Sequence, residues 1–410
     1  MSLNTALSGL LGAQQGLNVA ANDLANASTT GFKSGSARFS DIYTGGSANA
    51  VGQGVTSQFI EQNFSQGNLQ STGNPLDLAI QGTGFFVVQK NGQTGYTRDG
   101  AFQLSQNGQL QNAAGSAVMG YGVNGSGNSN GILAPITVAT SGQPAKATSN
   151  VSLNAALNSA DPTITAAFNP ATPSTYDQST SVVAYDSLGN ANHIQLYYVK
   201  NPASGSAGTT VPNTWSVYAQ PQSASGAAVG SATHLTTLAF NSSGALTSGG
   251  TATLNVNWNN GAANSSILFN LAGTTVGAQG FAVNSTTNNG RAPGTYTGTS
   301  ITKAGQVQSL YSNGQTKTVG LLALASFVNN QGLTPVSGNL YRNSPNSGQA
   351  VLNLAGAGVN GTLRSGSLEQ SNVQTSNELV ELLKYQQAYQ SNASVIQSEQ
   401  QAFAKLEQVA

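Results

Sequence analysis

Two histidines, His193 and His234, and no cysteine are all that this 410-residue chain offers for metal binding or nucleophilic chemistry. Without cysteine, thiolate catalysis, disulfides and Cys-based zinc sites are excluded together. The aspartates Asp77, Asp99, Asp161, Asp177 and Asp186 are scattered among turns with no paired-carboxylate spacing. A glycosidase could still assemble two of them in space, because such pairs are set by the fold. Each histidine sits beside a predicted strand and reads as an ordinary hydrogen-bonding residue. Gly356-Ala357-Gly358 lacks the strand–loop–helix context and the lysine of a phosphate loop. The residue types point away from catalysis, and no cofactor or metal is expected.

The chemistry that remains is assembly, and it is written at the two ends. Leu3, Leu7, Leu10, Gln14, Leu17, Ala21 and Leu24 step by four and three, a heptad seam. Leu379, Leu382, Gln386, Tyr389, Ala393, Ile396, Gln400 and Phe403 repeat the alternation. Thr375-Ser376-Asn377-Glu378 reads as a capping box, with Ser371-Asn372-Val373-Gln374 competing. A helix over 375–408 would be ~50 Å long. Asn22, Asp23, Asn26, Thr29, Thr30 and Gly31 form a polar end to the first helix, and Gly31 can take the positive φ that terminates it. Gln and Ala at several seam positions leave isolated helices marginal in water. Both ends are therefore expected to be largely unfolded in the monomer and helical once packed on neighbouring copies. The competing reading is an intramolecular helix pair that caps a domain. The residues expected to carry self-assembly are Leu3, Leu7, Leu10, Leu17, Leu24, Asn22 and Asn26, with Leu379, Leu382, Tyr389, Ile396 and Phe403.

Between the ends helical periodicity disappears. Phe85 to Lys90 reads as a strand followed by the hairpin turn Asn91-Gly92. Asn107-Gly108 and Asn313-Gly314 mark further turns. Ser181 to Tyr185, a turn at Ser187 to Asn190, then Ile194, Leu196 and Tyr198 on one face repeat the device, and Trp215 to Tyr218 and Leu254 to Trp258 continue it. The fold class is mainly β with α-helical termini: two nested all-β domains plus an N-/C-terminal helical coiled-coil domain. Composition places the helical domain at 1–30 and 371–410, and linking segments at 31–71 and 355–370. An inner β-domain falls at 72–146 and 285–354, and an inserted outer β-domain at 147–284.

Only 26 residues are charged, 13 basic and 13 acidic, which is 6% of the chain against ~25% in ordinary soluble domains. Zero net charge gives no electrostatic footprint for nucleic acid or anionic lipid. Low charge also lets identical copies pack densely with little Coulombic opposition. A secretory signal needs a basic n-region, and the first basic residue is Lys33. No run of ~18 apolar residues occurs, so no membrane insertion is expected. Export, if it occurs, takes another route.

At this point the residues carry a resemblance. Leu17-Asn18-Val19-Ala20-Ala21-Asn22-Asp23-Leu24-Ala25-Asn26 with Thr30-Gly31-Phe32-Lys33 resembles the N-terminal motif of flagellar axial proteins of the rod and hook. Asp23 stands where that family usually has a second Asn. Leu368-Glu369-Gln370-Ser371-Asn372-Val373, Tyr385 to Gln390 and Val395-Ile396 are similar to the matching C-terminal motif, with Gln387 at a position that is often Arg. Asn74 to Phe86, Tyr96 to Gly100, and Ser337 to Leu340 with Ser347-Gly348 resemble the shared β-domain. The insertion at 147–284 favours the hook over the shorter rod branch, and Tyr185 to Asn190 resembles the hook outer domain. The resemblance implies a structural subunit of a curved tube, a universal joint transmitting torque from rod to filament, at the extracellular flagellar hook and basal body. It implies type III export without a cleaved signal peptide. The partners it implies are other copies of the chain, the hook cap protein, the distal rod protein, the hook–filament junction protein and the flagellar type III export apparatus. Alternatives are a distal rod protein with an insertion, or a secreted β-rich glycan-binding protein or hydrolase.

Overall fold

The computed structural model describes residues 3–43, 52–125, 127–202 and 213–409, with side chains to 405. Helices occupy the two ends, α1 over Leu3–Ala25 and α2 over Thr375–Val409, and what lies between is predominantly strand. The chain divides into two compact units. One comprises 1–140, 297–310 and 316–410; the other comprises 141–296 and 311–315.

In the first unit the strand Phe85–Lys90 turns through Asn91 and Gly92, at φ 50° and 78°, into Gln93–Thr97. Two positive φ values are what a type I′ hairpin turn requires, and Asn-Gly supplies them at least cost. Phe85 to Val88 are buried consecutively, as are Gly320 to Ala325 of the strand Thr316–Ser326. These are central strands covered on both faces, paired through Leu324 and Phe86, with Ala117–Val123 alongside through Val88 and Val118. Phe64, Phe85, Tyr96, Phe327 and Tyr341 interlock edge to face at centroid distances of 4.8 to 6.0 Å. Such contacts add to the area that the rings bury.

The stretch expected to link over 31–71 contains a long antiparallel hairpin, β1 over Gly35–Tyr43 and β2 over Gly52–Gln62, in register through Gly35 and Gln62. Its portion at 44–51 lies outside the described residues. Gly and Ser spacing hides the strand in the sequence, because Ala37 is its one buried side chain. The stretch expected to link over 355–370 likewise supplies strands. Thr362–Ser365 pairs with Leu78–Gln81, and Ser367–Glu369 with Leu69–Ser71.

The second unit stacks two five-stranded sheets. One carries Asn150–Asn158 beside Ser265–Asn270 and Thr251–Val256; the other runs in order from Gln178–Tyr185 through Ala191–Lys200, Asn213–Gln222 and Thr233–Phe240 to Leu246–Ser248. Strict alternation of buried and open positions along Asn150–Asn158 and Ser265–Asn270 turns one face of each inward. Leu153, Leu157, Ile194, Tyr198, Trp215 and Phe269 meet in the resulting core. Each indole is satisfied, Trp215 donating to Asn213 Oδ1 at 3.2 Å and Trp258 to Ser265 Oγ at 2.9 Å. No helix among the described residues is long and apolar enough to cross a membrane.

Candidate self-assembly surface

The terminal helices are formed and packed on each other, where the sequence suggested ends largely unfolded in the monomer. The physical reason is that each end supplies the other's partner. In α1, Ala6, Ala13, Gly16, Ala20 and Asp23 are buried and Gly9 is half-buried, a heptad of small residues. In α2, Glu378, Glu381, Tyr385, Ala388, Asn392, Val395 and Glu399 are half-buried at the same spacing. A Cβ on Gly16 would lie 2.4 Å from the Tyr385 ring, and one on Gly9 2.9 Å from the Asn392 amide. The two pairs run in opposite directions along the chain, so the helices are antiparallel. Gly12 faces the hairpin instead, where an added Cβ would lie 3.4 Å from Phe39 and 3.5 Å from Val55. Glycine thus lets large side chains close on the α1 backbone.

The leucine heptad is a different face. On both helices it sits one residue, ~100°, round from the seam used inside the chain. Leu3 and Leu7 are exposed, Leu7 by 46%, and Leu11 beside them by 57%. Leu10, Leu17 and Leu24 are half-buried, Asn22 is exposed and Asn26 half-buried. On α2, Leu379, Tyr389 and Phe403 are exposed, while Leu382 and Ile396 are half-buried on the flank shared with Tyr385. Val380 and Leu383, outside the predicted set, are exposed as well. A groove of about 1070 Å³ continues beside α1, with Leu11, Asn18 and Asn22 on one wall and Pro335 to Tyr341 on the other. Asn26 ties off α1 locally, donating to the Asn22 carbonyl at 2.9 Å and accepting from Thr29 Oγ1 at 3.0 Å. Gly31 takes the expected positive φ, 69°, but α1 already ends at Ala25, so Gly31 closes the turns that follow the helix and does not terminate the helix itself. Helix α2 opens at Thr375, so neither capping box is used: the Gln374 carbonyl accepts from Asn377 N at 2.9 Å and Glu378 N at 3.0 Å.

Below the helices lies a buried joint. Glu369, with no exposed side-chain surface, accepts from Lys33 Nζ at 2.5 Å and Gly67 N at 2.9 Å on Oε1, and from Arg98 Nη1 at 3.2 Å on Oε2. Lys33 Nζ also donates to the Ser65 carbonyl at 2.7 Å, and Arg98 Nη2 to that of Gly82 at 2.8 Å. Arg98 lies 5.4 Å over the Phe85 ring. Burial pulls the pKa values of Lys33 and Arg98 down, and Glu369 partly restores both. Asn372 accepts from Ser34 N at 2.8 Å and donates to the Asn63 carbonyl at 2.7 Å. At the end of α1, Asp23 accepts from Gly35 N at 2.8 Å. Burial pushes its carboxyl up to about 6, the Gly35 bond opposes that, and Glu378 adds to it. Sequence reasoning missed this joint as a site. Its signal was available: with 6% charged residues, any charge inside a β-core is conspicuous.

Among the described residues, the histidines and aspartates singled out in the sequence are not brought together in one cluster. The registers set His193 opposite Gln222 and His234 opposite Tyr218 on the strand between them. Asp186 is taken up by Asn190, Asn192 and Asn260, Asp177 by Lys200 N, Asp99 by Ala101 N and Asp161 by Gln178. Among the described residues no three His, Cys, Asp or Glu side chains group as metal ligands.

Residues 3–33 match the family described as Flagella basal body rod protein, and 364–409 the Flagellar basal body rod FlgEFG protein C-terminal. Residues 79–156 match the Flagellar hook protein FlgE/F/G D1 domain, and 150–291 the Flagellar basal body protein FlaE D2 domain. The chain is 38% identical over 409 residues to the flagellar hook protein FlgE of Salmonella typhimurium, covering 98% of each. Identity is 37% over 414 residues to that of Escherichia coli, again with 98% of each covered. The fold is similar to the crystal structure of Helicobacter pylori flagellar hook protein FlgE2, with TM-score 0.57 and 15% identity over 73% of this chain and 100% of that one. Small-residue helix seams, a β-core between them and an inserted second β-unit thus coincide with relatedness along the whole chain, which belongs to the flagellar hook protein family.

Proposed function

We propose that this chain is the repeating subunit of the flagellar hook, a non-catalytic structural protein that polymerises into a flexible curved tube carrying torque from rod to filament. The observation that carries the reading is the apolar face left open on both terminal helices, one residue round from the seam they share. Full withdrawal of a leucine from water contributes ~1.5–3 kcal/mol, and Leu7, already about half buried in the subunit, would add roughly half of that. A stripe of such residues, repeated in every copy, is enough to drive assembly. The sheet-bearing insertion at 147–284 favours the hook over a rod protein, since the hook relatives align along nearly the full chain. The same alignment disfavours a glycan-binding protein or hydrolase.

In this reading the helices line an inner tube, and Leu3, Leu7, Leu10, Leu17 and Leu24 meet Leu379, Leu382, Tyr389, Ile396 and Phe403 of adjoining copies. The nested boundaries read from the sequence belong to this proposal: helices at 1–30 and 371–410, linking segments at 31–71 and 355–370, inner β-domain at 72–146 and 285–354, outer β-domain at 147–284. Export through the flagellar type III apparatus, and end contacts with the hook cap, distal rod and hook–filament junction proteins, belong to the same proposal. Negative-stain imaging of purified chain tests it. Hollow tubes from the wild type, and none from Leu7→Asp at the same concentration, are expected. Tubes formed equally by both would remove the leucine face from the account.

A further inference from the structure

The Lys33–Glu369–Arg98 triad has no part in the leucine stripe, yet it is among the most deeply buried polar groups of its unit. Lys33 and Glu369 have no exposed side-chain surface, and Arg98 has 5%. One carboxylate gathers five stretches of chain: Gly31 to Lys33, Ser65 to Gly67, Gly82, Arg98 and Glu369 itself. Gly31 N completes it from the backbone, donating to the Glu369 carbonyl at 2.7 Å. The triad follows α1, which ends at Ala25, and precedes α2, which starts at Thr375. Both helices therefore leave the β-core through this point. Asn372 repeats the pattern one step nearer α2, clamping Ser34 to Asn63. On the other flank Asn339 Nδ2 holds the Thr30 carbonyl at 2.7 Å.

Stability alone is a poor explanation for such a group. Taking three charges out of water costs several kcal/mol per ion before their attraction offsets it, and apolar side chains of similar volume often do as well or better. Two cations share one carboxylate here, and Arg98 Nε is buried with no hydrogen-bond partner, so the compensation is incomplete. What ionic hydrogen bonds supply and apolar packing does not is direction: each fixes donor and acceptor along one line. We propose that the triad is the joint that fixes the angle at which α1 and α2 leave the β-core, and through that angle the helical repeat of the polymer. Lys33, Arg98 and Glu369 are then positioning residues for assembly. In a helical polymer each subunit repeats the same angle, so a small rotation at the joint accumulates from copy to copy.

The inference rests on the assembly reading above, and the test separates the two. The full chain is prepared as wild type, as the apolar triple variant Lys33→Met, Arg98→Leu, Glu369→Leu, and as Glu369→Asp, which keeps the charge but shortens its reach by one methylene. Melting is followed by circular dichroism, and helical parameters are measured by cryo-EM of the assembled material. The triple variant is expected to melt within about 5 °C of the wild type and to polymerise with a shifted or mixed helical repeat. If it does not fold, Glu369→Asp decides: a changed repeat supports the joint. Wild-type parameters in whichever folded variant polymerises would overturn it, leaving the triad a merely structural contact. A wild type that forms no tubes would instead sink the assembly reading.

Discussion

Asp23 and Glu378 face each other across the end of the helix pair, two carboxylates where one of them is buried. Burial first, and Glu378 after it, raise the Asp23 pKa to about 6, above the ~3.9 of an unfolded aspartate. A carboxyl whose folded pKa is raised binds its proton more tightly in the native state. Its stabilisation is therefore complete below about pH 4 and is lost as pH rises through about 6. Replacing it by Asn keeps an acceptor for Gly35 N and removes the charge. Asp23→Asn should raise the melting temperature at pH 7 by about 2–4 °C and leave it unchanged near pH 4, a difference that calorimetry at the two pH values reads directly. An equal shift at both would assign the gain to packing. At this scale the sequence was legible in part. Asp23, Lys33, Arg98, Glu369 and Asn372 all stand in motifs that resemble the axial proteins, yet nothing local says that residues 336 positions apart, such as Lys33 and Glu369, share one buried pocket.

The helices carry one heptad period in two phases: the leucine phase is the one proposed for assembly, and the phase one residue earlier packs inside the chain. Heptads were legible at both ends because leucine is conspicuous, and the leucine set is the one a seam usually uses. The intramolecular seam is instead built of Ala6, Gly9, Ala13, Gly16 and Ala20, whose small size permits the close approach of Tyr385 and Asn392. Small residues carry little hydrophobic weight, so a search for apolar periodicity passes over them. Gly16→Ala tests the point against intrinsic preference. Alanine gains ~1 kcal/mol of helix propensity, but its Cβ would meet the Tyr385 ring at 2.4 Å, an overpacking that costs ~1–3 kcal/mol. A net destabilisation of about 1 kcal/mol is expected in thermal melts, and it should vanish in the Tyr385→Leu background, the coupling being read from the double-mutant cycle. Leu7→Asp should behave in the opposite way: the residue is exposed, so the monomer melts as before while sedimentation shows assembly lost. The hairpin over β1 and β2 escaped the sequence because its Gly and Ser positions leave one buried side chain to mark the alternation.

In the molecule as a whole, charge is rationed by position. Residues 141–296 hold only Lys146, Asp161, Asp177, Asp186, Lys200 and Arg291 among charged types. Asp186 is fully buried, and Asp177 is spent on Lys200 N. In the proposed tube, contacts made by such a surface would have few salt bridges to fix one register, which would let copies slide as it bends. Screening has little to act on, so assembly yield and tube curvature should change little between about 0.05 and 1 M salt; loss of curvature at high salt would show that ion pairs set it. The mainly-β fold with helical ends was legible from turn chemistry and alternation, as at Asn91-Gly92. The membership of each compact unit depended on pairings such as Leu78–Gln81 with Thr362–Ser365, which no local pattern announces. The account rests most heavily on the open apolar face of the terminal helices, and a helical cryo-EM reconstruction of the polymer tests it most directly. Leu7, Leu11 and Leu383 should be buried against side chains of adjoining copies. Finding those residues lining solvent in well-formed tubes would contradict it.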